Sequence, residues 1–136
     1  MKELEDAVRN EAKAVYGKYI DAAFRKEIPF RGVGEEYVHF AYDEPELFRL
    51  LFMSEMSIES MNAVLPTLEE SYERIISSVM ASYSLFREKA EELYAHLWIY
   101  AHGMACLTAT RTCSYTPEDV QTRLSDVFFS MLLNLM

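Results

Sequence analysis

Residues 29–52 read PFRGVGEEYVHFAYDEPELFRLLF, with a proline at the first position and another at the seventeenth. Between the two prolines, apolar residues recur at steps of three and four, which predicts a helix from about Phe30 to Tyr42. They cover more than one face, so we expect this helix to be largely buried. The pair Asp43-Glu44 precedes the second proline, and acidic residues before proline suit the start of a further helix, predicted from Glu46 to about Met53.

The segments on either side of this stretch also have helical periodicity. Upstream, Lys2 to Arg25 forms an amphipathic pattern that ends before the first proline, because the residue preceding proline disfavours helical geometry. Downstream, an apolar stripe runs from Met61 to Tyr83 and is interrupted by a proline, and another helix is predicted from about Arg87 to Thr110. The sequence Thr116-Pro117-Glu118-Asp119 has the residues of a helix start, and this last helix continues to the end of the chain.

The sequence therefore predicts an all-α fold of six helices in a single domain that covers residues 1–136. No segment alternates as a strand does, and the chain contains only four glycines and four prolines, fewer turn residues than sheet proteins need. Its 136 residues, 51% of them hydrophobic, suffice for one buried core.

The charge and the termini argue against several classes of protein. The net charge is −9 and the 13 basic residues are scattered, so we expect no binding of nucleic acid by this chain alone. The N-terminus lacks an apolar core and no stretch is long enough to span a membrane, so neither a signal peptide nor a membrane anchor is expected. Cys106 and Cys113 are predicted to be free thiols in a reducing, cytoplasmic location, with a redox switch as the minor alternative.

No pattern of catalytic residues is present. The four glycines form no phosphate-binding loop, and His96 and His102 are six residues apart, which is poor spacing for one metal ion on one helix. The paired carboxylates, such as Glu69-Glu70, are predicted to be solvated. We therefore expect no enzyme, no cofactor and no metal, with a small helical enzyme as the third-ranked alternative.

Two motifs carry a resemblance to a known family. The segment Pro29-Phe30-Arg31 followed by residues 37–52, together with Leu97-Trp98-Ile99-Tyr100-Ala101-His102-Gly103-Met104-Ala105, resembles the effector domain of TetR-family regulators. The helix order and lengths are similar as well, so the resemblance covers essentially the whole chain. One departure is Phe86, which stands where members of the family often carry Ser or Thr before the fifth helix. Ser84 is the nearest substitute cap.

The resemblance implies a six-helix C-terminal domain that binds a small effector and dimerises through a four-helix bundle of its last two helices. In that family a helix-turn-helix DNA-binding domain comes first, and we expect it to be absent here, since Lys2-Glu3-Leu4 looks like its junction with the long connecting helix. A truncated fragment and a natural or misannotated short gene product both account for that absence.

The predicted ligand pocket combines aromatic, aliphatic and Met side chains with one histidine. Such an interior suits a lipophilic or aromatic compound, although the same residues also suit an ordinary core. Trp98 and His102 lie one turn apart and share a helix face, where His102 is either a polar contact for the ligand or a core histidine bonded to a carbonyl or a tyrosine. The candidate ligand-binding residues are Tyr37, Phe40, Phe52, Met61, Tyr72, Ile76, Trp98 and His102.

The last two helices are apolar on more than one face, and we expect a single chain of this size to leave part of that surface uncovered. A second copy would cover it through an isologous four-helix interface. The predicted interface residues are Ala105, Ala109, Val120, Leu124, Phe128, Phe129, Met131, Leu132 and Leu135. The alternative function is a DNA-binding-deficient interaction protein that pairs with a partner regulator. An internal cavity would favour effector binding, and a filled core would favour the alternative.

Overall fold

The computed structural model describes residues 2–54 and 69–135, and these residues contain helices and no strand. The predicted all-α fold is confirmed, and the predicted helix ends agree with the observed ones to within about two residues wherever both are described. The predicted stripe from Met61 to Tyr83 lies partly outside the described residues, and its described part forms one helix. The helices are α1 (Lys2–Ala23), α2 (Pro29–Asp43), α3 (Pro45–Phe52), α4 (Tyr72–Tyr83), α5 (Arg87–Ala109) and α6 (Pro117–Leu135).

The helix starts follow from local chemistry. Helices α2 and α3 each begin with proline, whose missing N–H would have no partner at that position. At α6, the Asp119 N–H donates to Thr116 Oγ1 over 3.1 Å and the Thr116 N–H donates to an Asp119 carboxylate oxygen over 3.2 Å, so the predicted cap is present. Helix α5 follows Phe86 without a side-chain cap. Ser84, expected as a substitute, instead ends α4 in the left-handed conformation, with φ at 53°.

Helix α2 occupies the centre of the domain and contacts each of the five other helices that the structure describes. Two glycines permit this close packing. A Cβ atom on Gly32 would lie 2.9 Å from the backbone oxygen of Ala23 at the end of α1, and one on Gly34 would lie 2.8 Å from Leu124 Cδ1 of α6. Both contacts are shorter than a Cβ atom tolerates, so these positions let α1 and α6 approach the central helix closely.

Six of the nine predicted interface residues lie inside the core of a single protomer. Their side chains are at most 8% exposed, because α2 covers the apolar stripe that the sequence assigned to a second copy. Within one protomer these side chains therefore pack against other helices of the same chain. Phe129 is 44% exposed, and Met131 and Leu135 are partly exposed. The six buried residues are Ala105, Ala109, Val120, Leu124, Phe128 and Leu132.

Candidate functional site

An aromatic cluster forms where the first three helices meet α5. Tyr37 of α2 is central to it, with ring centroids 4.9 Å from Phe52, 5.4 Å from Phe48 and 6.0 Å from Trp98. Edge-to-face packing of this kind buries large apolar surfaces and adds about 0.5–1.5 kcal/mol for each pair. The aromatic cluster comprises Tyr16, Tyr37, Phe40, Phe48, Phe52, Trp98 and His102.

His102 is hydrogen-bonded on both sides of its ring. Its Nδ1 lies 2.8 Å from the Tyr37 hydroxyl and its Nε2 lies 3.3 Å from the Cys106 sulfur. Burial lowers the pKa of His102, which favours a neutral ring that accepts at one nitrogen and donates at the other. The structure therefore shows the tyrosine-bonded histidine that the sequence offered as one of two possibilities, with both ring nitrogens already in contact with protein groups.

Trp98 and Tyr94 carry polar atoms that have no partner within residues 2–54 and 69–135. The Trp98 ring stacks on His102 with centroids 4.5 Å apart and an interplanar angle of 11°. Its Nε1 and the Tyr94 hydroxyl are both buried, and neither is hydrogen-bonded to any of the described residues. Both residues line a small cavity of about 10 Å³ between α2 and α5. Sequence reasoning missed Tyr94, although positions 94, 98 and 102 follow one another at steps of four and so share a helix face.

Glu69 is a second polar group that the sequence did not single out. The pair Glu69-Glu70 was predicted to be solvated, and this is wrong for Glu69, which is only 1% exposed. Its carboxylate accepts a hydrogen bond of 2.5 Å from the Tyr16 hydroxyl and a longer one of 3.4 Å from the Ser71 N–H. Burial raises the pKa of Glu69 to about 7, and these hydrogen bonds offset only part of that rise.

The other predicted pocket residues are divided between two places. Phe40 and Phe52 lie in the aromatic cluster, whereas Tyr72 packs against Tyr94 with centroids 5.8 Å apart and donates its hydroxyl to Glu91 over 2.8 Å. Ile76, on the same helix as Tyr72, is fully buried. Met61 lies outside the described residues. Tyr94 links the two groups, since it packs against Tyr72 and lines the small cavity together with Tyr37 and Trp98.

Comparison with known families decides the identity of the domain. Residues 30–131 match the family model of the tetracyclin repressor-like C-terminal domain. The chain belongs to this family. No curated protein and no solved structure gives a significant match.

The match runs through α2 to α6 and includes the residues of the aromatic cluster that lie on α2, α3 and α5. This TetR-like domain is therefore a regulatory, ligand-binding type of domain, of a family that is not enzymatic. In the part of the chain that the structure describes, no helix has the length and apolarity to cross a membrane. Within the same ranges no group of three potential ligands could hold a metal ion.

The TetR-like domain also has a surface groove, which sequence reasoning did not identify. It encloses about 520 Å³, opens to solvent and lies between α2 and the segment that joins α5 to α6. Its polar side chains pair with one another: Lys26 contacts Glu36 at 3.2 Å, and His39 contacts Glu36 at 3.2 Å and Asp43 at 3.0 Å. The groove is larger than the cavity at Tyr94 and Trp98, but these side chains already have partners. Among the described residues, the buried side-chain atoms without a hydrogen-bond partner belong to Tyr94 and Trp98.

Proposed function

We propose that this chain is the effector-sensing and dimerisation domain of a cytoplasmic TetR-type transcriptional repressor, and that its effector is a small compound with a lipophilic or aromatic body. The observation that carries the proposal is a pair of buried polar atoms, Trp98 Nε1 and Tyr94 Oη, that have no hydrogen-bond partner in the part of the chain that the structure describes. An unmet buried donor or acceptor costs about 1–3 kcal/mol, so a ligand that bonds to it gains affinity.

The surroundings of these two atoms have the composition of a small-molecule site. Such sites are mostly apolar and contain a few polar groups that fix the orientation of the ligand. Here the apolar part is supplied by the aromatic cluster and by Val33, Leu97 and Ala101, which line the cavity. The 10 Å³ cavity holds about one water, so an effector has to displace side chains on entry. Trp98 is only partly buried, and its outward rotation would enlarge the cavity.

A homodimer is the assembly that we propose for this domain. On α5, Ile99 is 53% exposed and Leu107 is 38% exposed. Gly103 lies four residues from each, so the three residues share one face of the helix. On α6, Phe129 is 44% exposed and Leu133 is 76% exposed. Exposed apolar side chains on two neighbouring helices favour an isologous helical interface that places both faces against a second copy.

The alternative is an interaction protein that dimerises with a partner regulator and binds no effector. One observation favours it, namely that the predicted pocket residues pack closely and enclose little space among the described residues. Native mass spectrometry of the purified chain separates the two functions, because it reports the dimer mass and any bound compound together. A co-purified compound supports effector sensing, whereas a ligand-free dimer that no compound in a thermal-shift library stabilises supports the alternative.

Three substitutions then locate the site. Tyr94→Phe removes one hydroxyl and should weaken binding of the compound by about 1 kcal/mol or more, whereas the matched control Tyr83→Phe, outside the cluster, should leave it unchanged. His102→Leu separates ligand contact from structure. A loss of about 1–3 kcal/mol in affinity with intact folding would indicate that His102 contacts the ligand. Lower stability with unchanged affinity would indicate that its role is the structural hydrogen bond to Tyr37. Unchanged affinity in Tyr94→Phe would contradict the proposed site.

A further inference from the structure

The carboxyl group of Glu69 has no cationic partner within residues 2–54 and 69–135. Among the described residues, its hydrogen-bond donors are Tyr16 and the backbone of Ser71, and neither carries a positive charge. The stretch 55–68, which the structure does not describe, contains no lysine, arginine or histidine. A buried carboxylate is costly unless it is paired or protonated, so an ionised Glu69 calls for a cation from outside the chain.

Two other acidic residues of this chain, one buried and one exposed, have lysine partners. Glu36, which is also buried at 8% exposure, pairs with Lys26 at 3.2 Å. Glu70, the neighbour of Glu69, is exposed and pairs with Lys13 at 3.4 Å. Because its immediate neighbour and a comparably buried acid both have lysine partners, the arrangement at Glu69 is a local property of this site.

The groups around Glu69 are also suited to binding a cation. Tyr16, Tyr37 and Tyr94 all lie within electrostatic reach, since the charge of Glu69 contributes to the raised pKa of each, after the larger effect of burial. Tyrosine ring faces attract ammonium groups, and such contacts strengthen when water is excluded. The Tyr94 hydroxyl, which is not hydrogen-bonded to any residue that the structure describes, has lone pairs that can accept from an N–H donor.

We propose that the effector of this domain carries a positive charge, an ammonium or similar group that binds between the Glu69 carboxylate and the surrounding tyrosine rings. This inference rests on the proposed function, because it specifies the chemistry of a ligand in the same region. The net charge of −9 would favour the approach of such a ligand from solution.

The proposal requires a specific pH dependence. A cation binds the ionised form of Glu69, so affinity should rise as the pH rises through about 7 and level off above it. The pKa values of Tyr16, Tyr37 and Tyr94 are raised well above 10, and the pKa of Tyr72 is raised too. These four hydroxyls therefore stay protonated across this range. Burial lowers the pKa of His102, which favours its neutral form.

The test compares two probes of nearly the same shape, protonated 2-phenylpropan-2-amine and its uncharged counterpart tert-butylbenzene. Calorimetry measures their affinities between pH 6 and pH 8, and the fluorescence of Trp98, the single tryptophan of the chain, reports binding near the site. We expect the cation to bind at least tenfold more tightly at pH 8 and its advantage to shrink towards pH 6. Glu69→Gln should abolish the advantage, whereas the control Glu70→Gln should keep it.

Equal affinities for the two probes, or a cation preference that survives Glu69→Gln, would overturn the inference while leaving small-molecule binding intact. If neither probe binds while another compound co-purifies, the inference again fails and the proposed function stands. The pH dependence in the unsubstituted protein gives an independent test should Glu69→Gln fold poorly, since an affinity for the cation that is flat from pH 6 to pH 8 contradicts the proposal on its own.

Discussion

Replacement of Phe128 by alanine tests whether the apolar stripe of α6 belongs to the protomer core or to a dimer interface. Phe128 is fully buried, and its ring centroid lies 5.2 Å from those of both Phe30 and Tyr83. The side chain thus joins α6 to α2 and to the end of α4. Phe129, the next residue, is 44% exposed and serves as the matched control.

The expected magnitudes follow from these exposures. Removal of a fully buried phenylalanine side chain costs about 3–5 kcal/mol in transfer and cavity terms. A loss of that size lowers the melting temperature of a domain of this length by roughly 10–15 °C. Phe129→Ala removes a side chain that is about half buried, so its cost within the protomer should be about 1 kcal/mol.

Urea denaturation followed by circular dichroism at two protein concentrations measures both effects, and sedimentation gives the oligomeric state. The free energy lost in Phe128→Ala should be the same at both concentrations, because it arises within one chain. The main effect of Phe129→Ala should be on association, so it should shift the monomer–dimer equilibrium and the concentration dependence of the midpoint. The reasoning would be refuted by a Phe128→Ala variant that unfolds within 1 kcal/mol of the unsubstituted protein, or that loses stability only through dissociation.

Three further outcomes are expected. Gly32→Ala should lower the free energy of unfolding in urea by about 1–2 kcal/mol, because its Cβ would lie 2.9 Å from the Ala23 oxygen. Gly17→Ala, where a Cβ has no atom within 4 Å, should raise it by about 0.5–1 kcal/mol. A stabilised Gly32→Ala variant would contradict the packing. The pKa of Glu69 is about 7 in the folded protein, above its ordinary 4.5, so the protonated side chain stabilises the fold at low pH. This stabilisation is lost as the pH rises from about 4.5 to 7. Relative to Glu69→Gln, the unfolding free energy should fall by on the order of 3 kcal/mol over that range, and a constant difference would refute the raised pKa. The chain, with a net charge of −9, should cause no salt-dependent shift of duplex DNA at micromolar concentration in a gel assay.

The helices could be predicted from the sequence because their signals are local. Steps of three and four between apolar residues set the elements, and prolines at positions 29, 45 and 117 mark three helix starts. The cap formed by Thr116 and Asp119 was likewise readable, since both groups belong to four consecutive residues. The family resemblance rested on the same local motifs, and the match over residues 30–131 confirms it.

The arrangement of the site was harder to predict from the sequence. Trp98 and His102 could be paired from their spacing on one helix, but the partner of His102 is Tyr37, 65 residues away in sequence. The adjacent acids Glu69 and Glu70 look equivalent in the sequence, yet Glu69 is 1% exposed and Glu70 is exposed. Their different partners on α1, Tyr16 for Glu69 and Lys13 for Glu70, are decided by tertiary contacts.

By itself, the sequence determined the helical class, the helix ends and the family, since each depends on residues close together in the chain. Only the tertiary structure decided which apolar face meets which neighbour. A helix with apolar residues on more than one face fits equally well against its own protomer or against a second copy, and local periodicity does not distinguish these partners. The distinction arises from the close approach of α2 to α6 at Gly34 and Leu124, which places most of the predicted interface inside one chain.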